Sequence, residues 1–171
     1  AYMTKTIFLI GFMGVGKSSI GKKLSNKLNV PFLDTDELLE QKYGTTIAEY
    51  FANHGEAAFR IAEKKLIETY AFGKAVVATG GGLPCFHDNM STLNQKGITI
   101  FLNRPAKELQ QRLIHAKKQR PLIKKLSDSE LLLFIEDLLE KRRPFYEKAQ
   151  ITLNRNNQTI DEIIKSIAAI E

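Results

Sequence analysis

Gly11-Phe12-Met13-Gly14-Val15-Gly16-Lys17-Ser18 is the stretch of this chain whose residue types and spacing most clearly announce a chemistry. It fits the phosphate-loop pattern G-x-x-x-x-G-K-[ST], with an apolar run, Thr6 to Ile10, before it and an amphipathic segment after it. Glycines let successive backbone N–H groups turn inward around phosphate oxygens, and a helix start adds the positive end of its dipole. In such a loop Gly14, Val15, Gly16, Lys17, Ser18 and Ser19 bind the nucleotide. Lys17 reaches the β- and γ-phosphates, and the Ser18 hydroxyl ligates Mg²⁺. The expected co-substrate is ATP with Mg²⁺, which leaves open what receives the phosphoryl group.

Candidates for the acceptor side lie further along. Asp34-Thr35-Asp36 closes a predicted strand, and a spacing of two puts both carboxylates on one side of an extended backbone. One could serve the Mg²⁺ shell and the other face a substrate hydroxyl; equally, both could be acids at the start of a helix from Glu37. Gly80-Gly81-Gly82 costs backbone entropy and suits a place where main chain approaches a ligand closely, or a flexible loop. Arg60 reads by itself as an ordinary exposed helix arginine. Arg120-Pro121-Leu122 sits in a lysine-rich, uncapped stretch, 116–126, which is the candidate for a mobile lid that swings an arginine onto the transferring phosphate. Arg142-Arg143-Pro144-Phe145-Tyr146 adds a basic cluster.

These residues must be held by elements, and the pattern alternates strand and helix. Strands are predicted at Thr6 to Ile10, Pro31 to Leu33, Ala75 to Ala78, Ile98 to Leu102 and Gln150 to Leu153, mostly apolar on both faces. Ile20, Leu24 and Leu28 mark a helix after the phosphate loop, and another is predicted from about Glu56 to Ala71. Pro105 suits the first turn of a helix ending near His115. Ser127–Glu130 and Thr159–Glu162 have capping-box spacing. Pro144, inside the helical pattern from Asp128 to Ala149, predicts a break or kink. The expected fold is a three-layer α/β/α sandwich around a five-stranded parallel sheet, of phosphate-loop NTPase type with a mobile lid. Ligands on such folds sit beyond the carboxyl ends of the strands, which gathers 11–18, 34–36 and 80–82 on one rim.

At 171 residues the chain reads as one domain, 1–171, with Ala1-Tyr2 ahead of Met3 expected to be a cloning remnant. No apolar run approaches the roughly 20 residues that cross a bilayer, and no signal-peptide anatomy is visible. Cys85 is the sole cysteine, so no internal disulfide can form, and a cytoplasmic location is expected. The net charge of +6 raises the question of nucleic acid, but the basic residues are dispersed among acids without an aromatic-interleaved stripe. His54, His87 and His115 are scattered without ligand spacing. Neither a nucleic-acid nor a membrane partner is expected, and a monomer is.

In order and spacing, G-x-x-G-x-G-K-S, D-x-D, F-R, G-G-G, R-P-L and R-x-P-x-Y resemble the shikimate kinase family, from Met3 to about Ile167. The resemblance implies transfer of the γ-phosphoryl group of Mg·ATP to the 3-hydroxyl of shikimate, within the chorismate route to aromatic amino acids. It implies that Asp36 binds and orients the accepting hydroxyl and that Asp34 lies near Mg²⁺ and Ser18. It implies that Arg60 and Arg142 grip the shikimate carboxylate, as a guanidinium can bidentately, and that the backbone of Gly81 and Gly82 contacts the substrate. Lys17, Asp36 and Arg120 become the catalytic set, with Arg120 meeting both substrate and phosphates. Residues 34–62 become the substrate-binding segment. Arg155, within Asn154-Arg155-Asn156-Asn157, falls in the adenine-contacting loop, and Arg112 is the candidate to stack on adenine. Gluconate kinase, or another small-metabolite kinase on this scaffold, is the nearest rival. A non-catalytic ATP-binding regulator is the rival of another class.

Overall fold

The computed structural model describes residues 5–116 and 123–171, with the Ala116 side chain left aside. Five strands form one parallel sheet: β1 (Thr6–Ile10), β2 (Phe32–Asp34), β3 (Val76–Ala78), β4 (Gly97–Leu102) and β5 (Ile151–Leu153), in the order β2-β3-β1-β4-β5. All five lie within two residues of their predicted positions. Every residue of β1, β3 and β4 is buried, so helices cover both faces of the sheet, and unbroken apolar runs are what such strands require. Seven helices are described alongside them: α1 (Lys17–Leu28), α2 (Thr35–Tyr43), α3 (Ile47–Thr69), α4 (Asn89–Lys96), α5 (Ala106–Ala116), α6 (Asp128–Tyr146) and α7 (Ile160–Ile170). The main core runs along β1 and β4, where Phe8 is fully buried and meets Phe72 edge-on at 5.4 Å.

Register brings the chemistry together. Asp34 pairs with Ala78 and Ala78 with Leu9, so β2, β3 and β1 end level with one another. The phosphate loop, the two aspartates and the triple glycine therefore leave the sheet along one rim, as the strand-end rule requires.

Several sequence expectations need correction. Of the two readings of Asp34–Asp36 the extended one fails and the helix-start one holds: Asp34 ends β2 and caps α2, its Oδ1 accepting from the N–H groups of Asp36 (2.9 Å) and Glu37 (3.3 Å), while Asp36 lies in the first helical turn. Capping satisfies two donors that α2 would otherwise leave bare. The helix predicted from Glu56 does start after Gly55 (φ 83°, ψ 169°), whose non-helical backbone joins it to a preceding helix from Ile47 that the sequence reading does not mark. Pro144 does not break α6, which continues through it and ends at Tyr146; so close to the end it forfeits one ladder hydrogen bond and leaves little helix to bend. Pro105 stands just before α5, its carbonyl accepting from Glu108 and Leu109. The Ser127–Glu130 capping box is formed in both directions, and Thr159 accepts from the Glu162 N–H. Of the proposed lid, 117–122 lies outside the described residues, Arg120 included.

Candidate active site

The phosphate loop is built on glycines that no other residue replaces without strain: Gly14 has φ 81° and Gly16 φ 105°. Gly16 precedes α1 with no side chain capping the helix start, so the first N–H groups of α1 face the loop's hollow. Lys17 folds back and donates to the carbonyls of Gly11 and Phe12 (3.1 Å to Phe12). The Ser18 hydroxyl donates to Asp34 Oδ2 at 3.4 Å. Arg112, from α5, closes the far side, its Nε donating to the Gly14 carbonyl at 2.6 Å. Together Lys17, Ser18, Asp34, Asp36, Gly80 and Arg112 line a cleft of about 560 Å³, of the size that takes a small ligand.

A hydroxyl and a carboxylate oxygen side by side are hard donors of the kind Mg²⁺ takes, and Ser18 and Asp34 supply them beside a phosphate cradle. The residues present thus fit a magnesium-bound nucleotide. Among the described residues no cluster of histidines, cysteines or acids of the sort that cages a metal by itself exists. An ion held jointly by substrate phosphates needs none.

On the opposite side of the cleft the triple glycine is the meeting point. A Cβ on Gly80 would lie 2.8 Å from Asp36 Oδ1 and 3.2 Å from Glu63 Oε2. One on Gly81 would lie 3.1 Å from Arg142 Nη1, and one on Gly82 between 2.6 and 2.8 Å from the Arg60 guanidinium. Gly82 itself has ordinary helical angles (φ −90°, ψ −15°), so glycine is required there for room rather than for conformation. Thr35, fully buried, ties the aspartates to this loop by accepting from the Gly80 N–H at 2.9 Å.

Electrostatics follow from this crowding. Burial raises the Asp36 carboxyl to about 6, and the neighbouring Asp34 charge adds to the rise against the pull of Lys17. Burial likewise raises Glu63 to about 7, although Arg60 opposes it. Arg60 is 8 % exposed, which corrects its reading as an exposed helix arginine. It donates to Glu63 at 2.8 Å and to Glu56 at 3.3 Å, and lies 4.4 Å from the Phe86 ring centre. Arg142 stands over Phe12 at 5.6 Å. Arg60 Nε and Arg142 Nη1 are buried with no hydrogen-bond partner among the described residues. The N–H groups of Gly81 and Gly82 likewise have none there. Two guanidinium groups with spare donors, flanking bare main-chain N–H groups, make a site for a carboxylate.

This constellation has relatives. The family model described as shikimate kinase matches residues 13–170. The chain belongs to the shikimate kinase family. A shikimate kinase of Bacteroides thetaiotaomicron is 47% identical over 149 residues, 86% of this chain and 85% of that one. A crystal structure of shikimate kinase from the same organism superposes with TM-score 0.83 at 41% identity, covering 98% of this chain and 97% of that one. The shikimate kinase of Acinetobacter baumannii, solved in complex with shikimate, gives TM-score 0.81 at 34% identity over 98% and 93% of the two chains. The five-stranded parallel α/β fold is shared with these kinases.

For this shikimate kinase family member the structure brings together most of the residues singled out in sequence. Gly14, Gly16, Lys17, Ser18, Ser19, Asp34 and Asp36 line one cleft, and Val15 is buried beneath the loop. Arg60 and Arg142 are brought against Gly82 and Gly81 beside it. Arg155 stands apart, in the 3₁₀ turn Arg155–Asn157 and paired with Glu108 at 2.6 Å. Sequence reasoning gives no role to Glu63, Phe86 or Thr35. Glu63 falls three residues after Arg60, a helical spacing that could flag the pair, whereas Phe86 and Thr35 carry no local signal. Cys85, raised to about 11 by burial, is no nucleophile.

Proposed function

We propose that this chain is a shikimate kinase that transfers the γ-phosphoryl group of ATP to the 3-hydroxyl of shikimate, giving shikimate 3-phosphate and ADP. The observation that carries the reading is the buried anion site, Arg60 and Arg142 with unpaired nitrogens around Gly81–Gly82, set beside Asp36 at the mouth of the phosphate-loop cleft. An acceptor with a carboxylate at one end and a hydroxyl at the other spans these two features. The reading places the chain in the chorismate route to aromatic amino acids.

Asp36 accepts a hydrogen bond from the 3-hydroxyl and holds its oxygen in line with the γ-phosphorus. Above pH 6 or so it is ionised and ready for that task. In a loose transition state the hydroxyl proton leaves late, so positioning by Asp36 matters more than its strength as a base. Lys17 turns from the loop carbonyls onto the phosphates and neutralises charge on the transferring group. Ser18 and Asp34 would hold Mg²⁺, which would supply further neutralisation of charge on the phosphates. Arg60 and Arg142 bind the carboxylate, and the pull of Glu63 fixes the orientation of Arg60. Arg120, outside the described residues, completes the charge around the phosphoryl group when 116–126 closes, and that closure excludes water as a competing acceptor. Arg112 and Arg155 flank the nucleobase end. We read the chain as acting as a monomer. No helix among the described residues is long and apolar enough to cross a membrane, and the free thiol of Cys85 fits a cytoplasmic enzyme.

The test is release of ADP from Mg·ATP with shikimate, gluconate, a nucleoside monophosphate or no acceptor, run in parallel. Turnover that depends on shikimate alone is expected. Turnover on gluconate instead would move the chain to a sister kinase, and tight ATP binding without turnover would make it a regulator.

A further inference from the structure

Tyr146 stands outside the set of groups that meet substrate or nucleotide. It ends α6, is fully buried and packs its ring 5.1 Å from that of Phe101. Its hydroxyl donates to the Gly81 carbonyl at 2.6 Å, across 65 positions of sequence. Burial pushes the phenol far above its ordinary value even with Arg142 beside it, so it keeps its proton and remains a donor.

The acceptor of that hydrogen bond is what gives it meaning. The Gly81–Gly82 peptide is trans, so its carbonyl and its N–H point in opposite directions. Holding the Gly81 carbonyl toward Tyr146 turns the partnerless Gly82 N–H the other way. Glycine has no side chain to restrict this rotation, so the orientation depends on an outside contact. Arg142 lies one helical turn before Tyr146, on the same face of α6, and its Nη1 falls 3.1 Å from where a Gly81 Cβ would be. Packing alone would be served by phenylalanine; the hydroxyl adds polar contacts, donating to Gly81 and meeting the Arg142 side chain beside it.

We infer that Tyr146 is a positioning residue for the acceptor's carboxylate: its hydroxyl fixes the Gly81–Gly82 peptide so that the Gly82 N–H and the Arg60 and Arg142 guanidinium groups converge on one anion. This inference rests on the reading of the site as a shikimate site. It adds to that reading a residue that touches no substrate and governs the loop that does.

The experiment compares the wild-type chain with Tyr146→Phe and with Tyr146→4-aminophenylalanine, which restores a donor at the ring's end. ADP release is followed with shikimate and ATP each varied, and again with the methyl ester of shikimate, which lacks the carboxylate charge. Tyr146→Phe is expected to raise the KM for shikimate about tenfold, the loss of one well-placed hydrogen bond, and to leave the KM for ATP within about twofold. The ester, poorly used by both proteins, loses little further, and the amino variant recovers most of the affinity. Phe101→Leu, a packing control, lowers the melting temperature without moving the KM for shikimate. An unchanged KM in Tyr146→Phe, equal losses for acid and ester, a parallel rise in both KM values, or failure of Tyr146→Phe to fold would overturn the inference. No turnover of shikimate by the wild-type chain would instead overturn the functional reading beneath it.

Discussion

Gly82→Ala isolates the carboxylate grip without touching a charged residue. The backbone at Gly82 (φ −90°, ψ −15°) suits alanine, so the chain should fold and lose some unfolded-state entropy, a gain of about 0.4–1 kcal/mol. The new methyl, however, would sit 2.6 to 2.8 Å from the Arg60 guanidinium, against a normal contact of about 3.5–4 Å. Arg60 must give way by roughly an ångström, and it cannot do so freely. Glu63 holds it at 2.8 Å, and Phe86 covers its face at 4.4 Å. Losing one charge-assisted hydrogen bond to the substrate carboxylate costs about 1.5–3 kcal/mol, which is roughly a 10- to 150-fold rise in KM for shikimate. Coupled measurement of ADP release, with each substrate varied in turn, reads this directly, and KM for ATP should stay near its wild-type value. In an Arg60→Ala background Gly82→Ala should add almost nothing, because both changes remove the same contact. A KM for shikimate within twofold of wild type, or full additivity in the double variant, would refute the argument that glycine is there to admit Arg60.

Asp36→Asn should abolish phosphoryl transfer while ATP still binds, measured by calorimetry alongside turnover; near-normal activity would remove Asp36 from its role. The same variant bears on stability. The Asp36 carboxyl is raised from 3.8 to about 6, so the folded chain holds a proton there that the unfolded chain has released, and stability falls as pH rises from about 4 to about 6. A neutral amide at this position has no such loss, and melting curves should show Asp36→Asn gaining on wild type across that window, by up to ~3 kcal/mol above it. The kcat/KM of the wild-type chain should fall on the acid side with an apparent value between about 6 and 7, where Asp36 and Glu63 take up protons; a profile flat down to pH 5 would contradict it. Arg120→Ala should depress kcat far more than it weakens ATP, and an unchanged kcat would sink that assignment.

How far these features can be read from the sequence depends on the range of the signal. The phosphate loop and the strands are local: Gly14, Gly16 and Lys17 announce themselves by spacing, and fully buried strands by unbroken apolar runs. The helix that follows Gly55 is legible from its apolar period, whereas the one before it, from Ile47, is not marked, and that Gly55 joins the two at positive φ is not written in either pattern. Pro144 misleads because the rule about helix interiors does not apply to the last turn of α6. Asp34 reads equally as extended backbone or as an acid at a helix start, because the residue that ends the strand is also the residue that caps the next helix. Arg60 looks exposed since nothing local shows that Gly82 and Phe86 come to cover it.

What stays hidden shares a physical cause. Thr35 on Gly80, Tyr146 on Gly81 and Arg60 on Gly82 are contacts between distant segments, fixed only when β2, β3 and β1 end level. The three glycines therefore form three separate fittings, each shaped to a different partner. That arrangement carries a cost within the chain itself: two carboxyls raised by burial, and two arginine nitrogens buried without partners among the described residues. A bound carboxylate relieves the second cost, since it accepts from the orphaned nitrogens. A bound hydroxyl at Asp36 gives that buried carboxylate a donor. Substrate affinity thus comes partly from satisfying groups that the fold leaves unsatisfied, and a group that cannot accept at the arginines leaves the penalty in place. On the proposed reading, discrimination against acceptors lacking the carboxylate is expected from the unpaired nitrogens themselves.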